Sequence, residues 1–361
     1  MTVRGFNGIF TGAVHAVVDH RWSRAPVINA QLLQFMAPGD DDIERVEVLR
    51  GPAPPMYGPD TQQGVISMFT KSPFNQGPRV EVTAGERNYL KLYGRYAGQL
   101  GSRAATRFTV THTTFDDWAS NMPRTQAEAA LDGHTYFEPL LIRRGEQTVS
   151  YPYVDYTRGG YNDPVGGSPN TASADEPFSP EATFFDSKTV FRPDLKSNLT
   201  VNLRAGNISA LEFTGIGRAH SDDAWLYQMQ VSYFRQDILG GNLFVNLFSN
   251  VNDQKTTYNL STGNIIYDQS KNTAFQLQHA LELKNDQSLL LGLDVLSRTP
   301  ETNGTINGKN EDIDNFDNMG LYYSYEKKFS DEFKVVATGR YDQNNYFCLL
   351  YTSPSPRDMW T

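Results

Sequence analysis

Apolar and polar side chains alternate along much of the chain after residue 78. The clearest example is segment 273–284, where Phe275, Leu277, Leu281 and Leu283 alternate with Gln276, Gln278 and Glu282. A period of two predicts a β-strand with one apolar face, because a helix of 3.6 residues per turn would mix the two sets. His279 interrupts the apolar row. We therefore expect the apolar set to face lipid and the polar set to face a water-filled interior.

The same analysis predicts about eleven such strands, separated by alternately short and long connections. The candidate strands are 79–86, 89–99, 104–115, 183–192, 199–206, 224–236, 243–253, 273–284, 288–297, 319–329 and 333–343. Short turns follow every second strand, whereas the other connections are 116–182, 208–223, 255–272 and 298–318. Barrels of bacterial outer membranes have short periplasmic turns and long external loops. The pattern predicts an antiparallel transmembrane barrel with loop 116–182 outside the cell.

The first fifth of the chain has a different character. Segments 13–19, 43–49 and 65–70 predict short strands joined by turns rich in Gly and Pro. Segment 73–78 contains two prolines and a glycine and is interpreted as a linker. Pro354 and Pro356 disfavour a spanning strand near the end. We expect a first domain at 1–72, a barrel portion at 79–347 and a non-native tail at 348–361.

Composition narrows the possible partners. The 361 residues contain no run of about 20 apolar positions, so no membrane-spanning helix is expected, and the 39% hydrophobic content still suits a barrel. Acidic residues outnumber basic ones by 41 to 32, and no Lys/Arg cluster indicates nucleic-acid binding. Cys348 is the only cysteine, which excludes an intrachain disulfide.

The chain begins without a recognisable export signal. A barrel protein must be exported to reach the outer membrane, so we expect an export signal and further sequence upstream of Met1. About eleven strands with two unpaired edges would also leave backbone groups unsatisfied in lipid. We therefore expect this chain by itself to be an inactive fragment.

Five short segments, in order along the chain, resemble the plug signature of TonB-dependent outer-membrane receptors. The longest is IERVEVLRGP at 43–52, read from its residues alone as a charged strand ended by a Gly-Pro turn. It is followed by Tyr57-Gly58 and by GVISMFTKSP at 64–73, and it is preceded by Arg4-Gly5-Phe6 and by Asp19. The motif residues are Arg4, Gly5, Phe6, Asp19, Glu44, Glu47, Arg50, Gly51, Pro52, Tyr57, Gly58 and Gly64.

The resemblance implies an all-β protein: the C-terminal part of a plug, then about half of a 22-stranded barrel. It implies a bacterial outer-membrane location and energy-coupled uptake of a scarce nutrient, in the ferric siderophore, cobalamin or oligosaccharide class. The implied partners are that ligand, membrane lipid, and TonB, whose binding segment lies upstream of this sequence. No covalent chemistry and no cofactor are implied, so the protein is not expected to be an enzyme.

Two groups of residues are candidates for functional contacts. Glu44, Glu47 and Arg50 are expected to pair with polar residues of the barrel interior, while the glycines of the motifs form turns. The expected external loop contains four tyrosines and one arginine: Tyr151, Tyr153, Tyr156, Arg158 and Tyr161. Their aromatic faces and the guanidinium suit a planar chelate, a sugar or a carboxylate. A loop packed on itself explains these residues equally well. Asp312, Asp314 and Asp317 lack the Gly and Glu of a calcium loop, so no metal site is expected.

Two other classes remain as alternatives. A passive porin shares the strand and loop pattern but has no reason to carry the plug motifs. A secreted all-β carbohydrate-active enzyme needs a carboxylate pair in a cleft and a water-soluble exterior.

Overall fold

The computed structural model describes ten stretches of the chain: 14–27, 39–51, 53–58, 61, 63–116, 179–214, 217–259, 265–306, 314–345 and 348–352. Within these stretches the protein forms seventeen β-strands and three single-turn 3₁₀ helices. The strands belong to two separate sheets, one of four strands and one of thirteen. None of the described helices is long and apolar enough to cross a membrane.

The smaller sheet, called the plug sheet, comes from the N-terminal part of the chain. It consists of β1 (Val14–Val18), β2 (Arg21–Trp22), β3 (Ile43–Arg50) and β4 (Gly64–Thr70) in the order β2-β1-β4-β3. Strands β1 and β4 are parallel, and the other two pairs are antiparallel. The 3₁₀ helices Asp40–Asp42 and Pro55–Tyr57 lie in its connections. Three of the four strands match the predicted segments, and two-residue β2 is too short to show a period.

The larger sheet, called the barrel sheet, is antiparallel throughout. Its strands are β5 (Arg79–Ala84), β6 (Leu90–Gln99), β7 (Ala104–Thr114), β8 (Glu181–Phe191), β9 (Ser197–Thr214), β10 (Gly217–Ile238), β11 (Gly241–Asn259), β12 (Ile265–Asp268), β13 (Lys271–Leu283), β14 (Gln287–Thr299), β15 (Phe316–Lys328), β16 (Lys334–Asn344) and β17 (Cys348–Thr352). Each strand pairs with its neighbours along the chain, except that β12 pairs only with β11 and leaves β13 next to β11. The described sheet runs from β5 to β17 without closing, which is the expected half-barrel.

The extent of the strands corrects three predictions. The predicted loop 208–223 is mostly strand, since β9 and β10 continue pairing to Thr214 and Gly217. A bulge between Ser221 and Ala224 shifts the alternation there, and this shift hid the strand in the sequence. Strand β12 lies within the predicted loop 255–272, and β17 adds the start of the predicted tail 348–361 to the sheet.

The two faces of the barrel sheet differ as the alternation predicts. Gln276 is 3% exposed, lies on the face that carries the plug sheet, and accepts a hydrogen bond from Asn246 at 2.8 Å. Phe275 and Leu277 project from the opposite face, because successive residues of a strand point to opposite sides. Leu277 lines an apolar groove there together with Leu243, Leu291 and Leu321. The inner face is therefore polar and the outer face apolar.

The linker packs against the barrel sheet. Pro73–Asn75 forms the third 3₁₀ helix, and the Ser72 hydroxyl accepts from the Phe74 backbone N–H at 3.4 Å. The Arg192 guanidinium lies 3.9 Å from the centre of the Phe74 ring. This cation–π contact packs the linker against the start of the barrel sheet.

Candidate functional site at the plug and barrel interface

The turn between β1 and β2 joins the plug sheet to the barrel sheet. Asp19 and His20 both have positive φ, 45° and 69°, in a conformation that Asp tolerates better than most residues. The Asp19 carboxylate accepts from the Thr70 backbone N–H at 2.9 Å and from the Thr70 hydroxyl at 2.5 Å, which ties the turn to β4. Lys188 of β8 donates to the same carboxylate at 3.1 Å. This aspartate of the motif therefore links both sheets.

These contacts decide the protonation of Asp19. Burial by itself would raise the pKa of the carboxyl group. The charge of Lys188 and the hydrogen bonds from Thr70 outweigh burial and lower the pKa below its ordinary value. Asp19 is consequently an anion at neutral pH, and its ion pair with Lys188 contributes to docking.

A row of side-chain amides crosses four strands of the barrel sheet beneath this turn. Asn202 donates to Gln230 at 2.9 Å, Gln230 donates to Asn246 at 2.9 Å, and Asn246 donates to Gln276 at 2.8 Å. Two members also donate to the plug backbone. Gln230 reaches the Asp19 carbonyl at 2.7 Å, and Asn246 reaches the His20 carbonyl at 3.2 Å. We call these four residues the amide ladder.

Neighbouring amides extend the same mode of contact along the plug. Asn250 donates to the Trp22 carbonyl at 2.9 Å, and Asn272 donates to the Arg24 carbonyl at 3.5 Å. Each neutral hydrogen bond contributes only about 0.5–1.5 kcal/mol, since water satisfies the same groups when the surfaces separate. Such an interface fixes the position of the plug on the barrel sheet, and its hydrogen bonds can break one at a time.

One apolar contact lies among these polar groups. The Trp22 ring meets the Phe248 ring edge to face, with centroids 5.9 Å apart. Val17 and Val65 of the plug sheet and Ala274 of β13 complete the buried cluster. Phe248 lies on the mainly polar inner face, and its ring provides a hydrophobic anchor for the plug.

A second docking point is ionic and was missed in the sequence. Asp40 and Asp41 accept from Lys91 at 2.6 and 2.7 Å, and Asp42 accepts from the Tyr93 hydroxyl at 3.1 Å. Arg107 approaches the Asp42 carboxylate at 3.5 Å. The run of three aspartates after Gly39 was a visible signal, but its partners lie on strands of the other sheet.

A third docking point involves β16. The Arg340 guanidinium donates to both carboxylate oxygens of Asp294 at 2.8 Å and to both of Asp342 at 2.7 Å. Its Nη1 also donates to the Pro55 carbonyl of the plug at 3.1 Å. Arg340 and Asp294 have side chains with 0% exposure. Planar bidentate pairing of this kind is strong and leaves no guanidinium nitrogen without a partner.

Three glycines of the plug motifs are turn formers. A Cβ on Gly64 would lie 2.4 Å from the Leu49 carbonyl oxygen, so only glycine fits there. Gly51 and Gly58 have φ of 99° and 92°, which favours glycine at both turns.

The expected pairing of Glu44, Glu47 and Arg50 with the barrel interior is not found among the described residues. All three are exposed on β3, the edge strand of the plug sheet, and Glu47 accepts from Arg45 of its own strand at 2.7 Å. The reason is positional: β1, β2 and the connections meet the barrel sheet, and β3 lies on the far side.

Several predicted residues lie outside the described residues. These are the motif residues Arg4, Gly5, Phe6 and Pro52 and the candidate ligand contacts Tyr151, Tyr153, Tyr156, Arg158 and Tyr161. Across the described stretches, no group of three or more His, Cys, Asp or Glu side chains is arranged to hold a metal ion.

A plug sheet docked on the polar face of a half-barrel defines a class of protein. The chain has the plug-and-barrel fold of TonB-dependent outer-membrane receptors, as the resemblance implied. No protein-family model matches the chain.

Three solved structures illustrate the likeness. The FrpB iron transporter from Neisseria meningitidis matches 95% of this chain and 52% of its own, with 11% identity and a TM-score of 0.59. The siderophore receptor PirA from Pseudomonas aeruginosa matches 94% and 49%, with 11% identity and a TM-score of 0.58. A point mutant of the ferric enterobactin receptor PfeA from the same organism matches 92% and 50%, with 13% identity and a TM-score of 0.57. The chain spans about half the length of these structures.

Proposed function

We propose that this chain is the plug and first half of the barrel of an energy-coupled receptor of the bacterial outer membrane, which takes up a scarce nutrient with the help of TonB. One observation carries the proposal: a segment with the plug motifs lies against the polar inner face through amide and ionic contacts. Such a surface can release the plug when it is pulled, because water replaces each hydrogen bond. A packed apolar interface would resist the same displacement.

The likeness supports one ligand class within this proposal. Similar structures are named for iron, a siderophore and ferric enterobactin. Of the three expected classes we therefore favour a ferric chelate, held by the external loop that includes Tyr151 and Arg158. The other partners of the proposal are TonB and outer-membrane lipid.

The passive porin is less well supported, because its lumen has no need of a plug. A carbohydrate-active enzyme would need a water-soluble exterior, which the apolar outer groove at Leu277 and Leu291 argues against.

The proposal is tested by locking the plug to the barrel. A Cβ on Gly39 of the plug would lie 3.7 Å from the Thr111 hydroxyl oxygen of β7, so cysteines at both positions can be oxidised to a disulfide across the interface. In the full-length receptor, expressed in a strain without its own receptor, oxidation of G39C/T111C should abolish ferric-chelate uptake, and reduction should restore it.

The matched control places the same disulfide within the barrel sheet. The Thr106 and Thr189 hydroxyls are 2.8 Å apart on neighbouring strands, and neither belongs to the plug. Oxidised T106C/T189C should retain uptake. Equal uptake by the oxidised and reduced forms of the G39C/T111C receptor, with the disulfide verified by mass spectrometry, would exclude the proposed mechanism.

A further inference from the structure

A small cavity lies between the turn of the plug sheet and the barrel sheet, next to the Asp19–Lys188 ion pair. Its volume is about 30 Å³. Three arginines line it: Arg21 from β2, Arg107 from β7 and Arg204 from β9. Each arginine is buried, with 3%, 3% and 7% exposure respectively.

The positive charge around this cavity exceeds the negative charge. Asp19 and Asp186 are the two acidic residues of the lining, against three guanidinium groups. One step further out, Lys188 contacts Asp19 and Asp42 contacts Arg107, which leaves the excess of one cation unchanged. A buried charge without a partner is costly, so the excess cation favours a bound anion.

The contacts of the three arginines also show that negative partners are too few. The distance from Arg204 Nη1 to Asp186 is 3.6 Å and that from Arg107 Nη1 to Asp42 is 3.5 Å, both long for a charge-assisted hydrogen bond. The Nε–H groups of Arg21, Arg107 and Arg204 are buried and have no hydrogen-bond partner in the described structure. Arg340 offers a comparison within the same sheet, because two carboxylates satisfy its guanidinium at 2.7 and 2.8 Å.

Electrostatics inside the plug agree with this arrangement. Burial and the neighbouring positive charge of Arg204 lower the pKa of Arg21 to about 10, although Asp19 and Asp186 act in the opposite direction. The two carboxylates therefore do not offset burial and this repulsion taken together.

We propose that this cavity binds a halide, chloride under physiological conditions, which bridges Arg21 of the plug to Arg107 and Arg204 of the barrel sheet. The volume favours a small ion, since about 30 Å³ accommodates one or two water-sized groups. Asn202 and Ser187 also line the cavity and can offer an amide or hydroxyl donor to the anion. The bound ion would strengthen docking of the plug at its first turn.

Bromide is the probe that locates the ion directly. Crystals of the full chain in detergent, grown or soaked in bromide, should show an anomalous peak within hydrogen-bond distance of at least two of the three arginines. Density of a water molecule with no anomalous signal would overturn the proposal.

A solution measurement with a matched pair of variants tests the charge argument. Thermal unfolding is followed in chloride and in gluconate at equal ionic strength. The wild type should unfold at a higher temperature in chloride, R21K should keep that difference because it keeps the charge, and R21M should lose it. An equal chloride effect in all three proteins would contradict a site at Arg21. If R21M does not fold, the comparison of R21K with the wild type and the bromide peak still decide the question.

Discussion

Replacing Arg340 by methionine should be among the most damaging single changes on the inner face. The variant keeps an unbranched side chain of similar length but removes the charge that satisfies two buried carboxylates. Asp294 and Asp342 have side chains with 0% and 3% exposure, and both pair with Arg340 at 2.7–2.8 Å. The change also removes the donor to the Pro55 carbonyl at 3.1 Å.

The magnitude follows from the uncompensated charges. Removing one partner of a buried ion pair typically costs about 3–5 kcal/mol, because the remaining charge stays desolvated. Here two carboxylates remain, although Asn318 still donates to Asp342 at 3.0 Å. We expect R340M to lower the free energy of unfolding by about 3–5 kcal/mol. The double variant R340M/D294N should recover part of that loss, since it removes one of the stranded charges.

Urea unfolding in detergent, followed by tryptophan fluorescence, measures this difference. The control is R235M, which breaks a pair of 2.7 Å between Arg235 and Asp194 whose side chains are 37% and 47% exposed. Exposed pairs contribute little because water and salt screen them, so R235M should leave the unfolding midpoint almost unchanged. If R340M unfolds at the same urea concentration as R235M, the Arg340 cluster does not stabilise the structure and the argument is wrong.

Three further changes test other contacts. A Cβ on Gly320 would lie 1.9 Å from the Arg340 Nη2 atom, so G320A should lower the thermal midpoint clearly, whereas G94A, with open space around Gly94, should not. W22A should lower the free energy of unfolding by about 3–5 kcal/mol and make the plug sensitive to protease. Unchanged stability and protease resistance would show that the contact with Phe248 is dispensable. Burial and the charge of Arg24 lower the pKa of His15 well below its usual range. Since folding favours the neutral form, this stability is complete above the unfolded pKa of about 6.5 and is lost as pH falls below it. Unfolding midpoints from pH 7 to 5 should fall less in H15F than in the wild type, and parallel slopes would contradict this.

Much of the barrel sheet could be predicted from the sequence, since a strand with one apolar and one polar face carries a period of two in its own residues. All eleven predicted strands correspond to strands of the sheet. The errors occurred where pairing continues without a clean alternation. Strands β9 and β10 extend past the bulge at Ser221, and β12 has only four residues.

Part of the candidate site could also be predicted from local sequence. The positive φ at Gly58 is a property of its own turn, whereas the close approach at Gly64 is to Leu49 of the paired strand β3. The pairing of Glu44, Glu47 and Arg50 with the barrel interior stays a prediction. The described strands leave β3 exposed, and an alternating charge pattern indicates a polar face but not which surface that face meets.

The sequence by itself determined the period of the strands and the turns of the plug motifs, because each depends on residues close together in the chain. Only the tertiary structure decided which inner-face amides meet the plug. Asn246 and His20 are 226 positions apart, yet their hydrogen bond is part of the interface. Any Asn or Gln on a water-facing strand has the same local signature. Its partner is set by docking of one sheet on the other, a contact that leaves no periodicity in either segment.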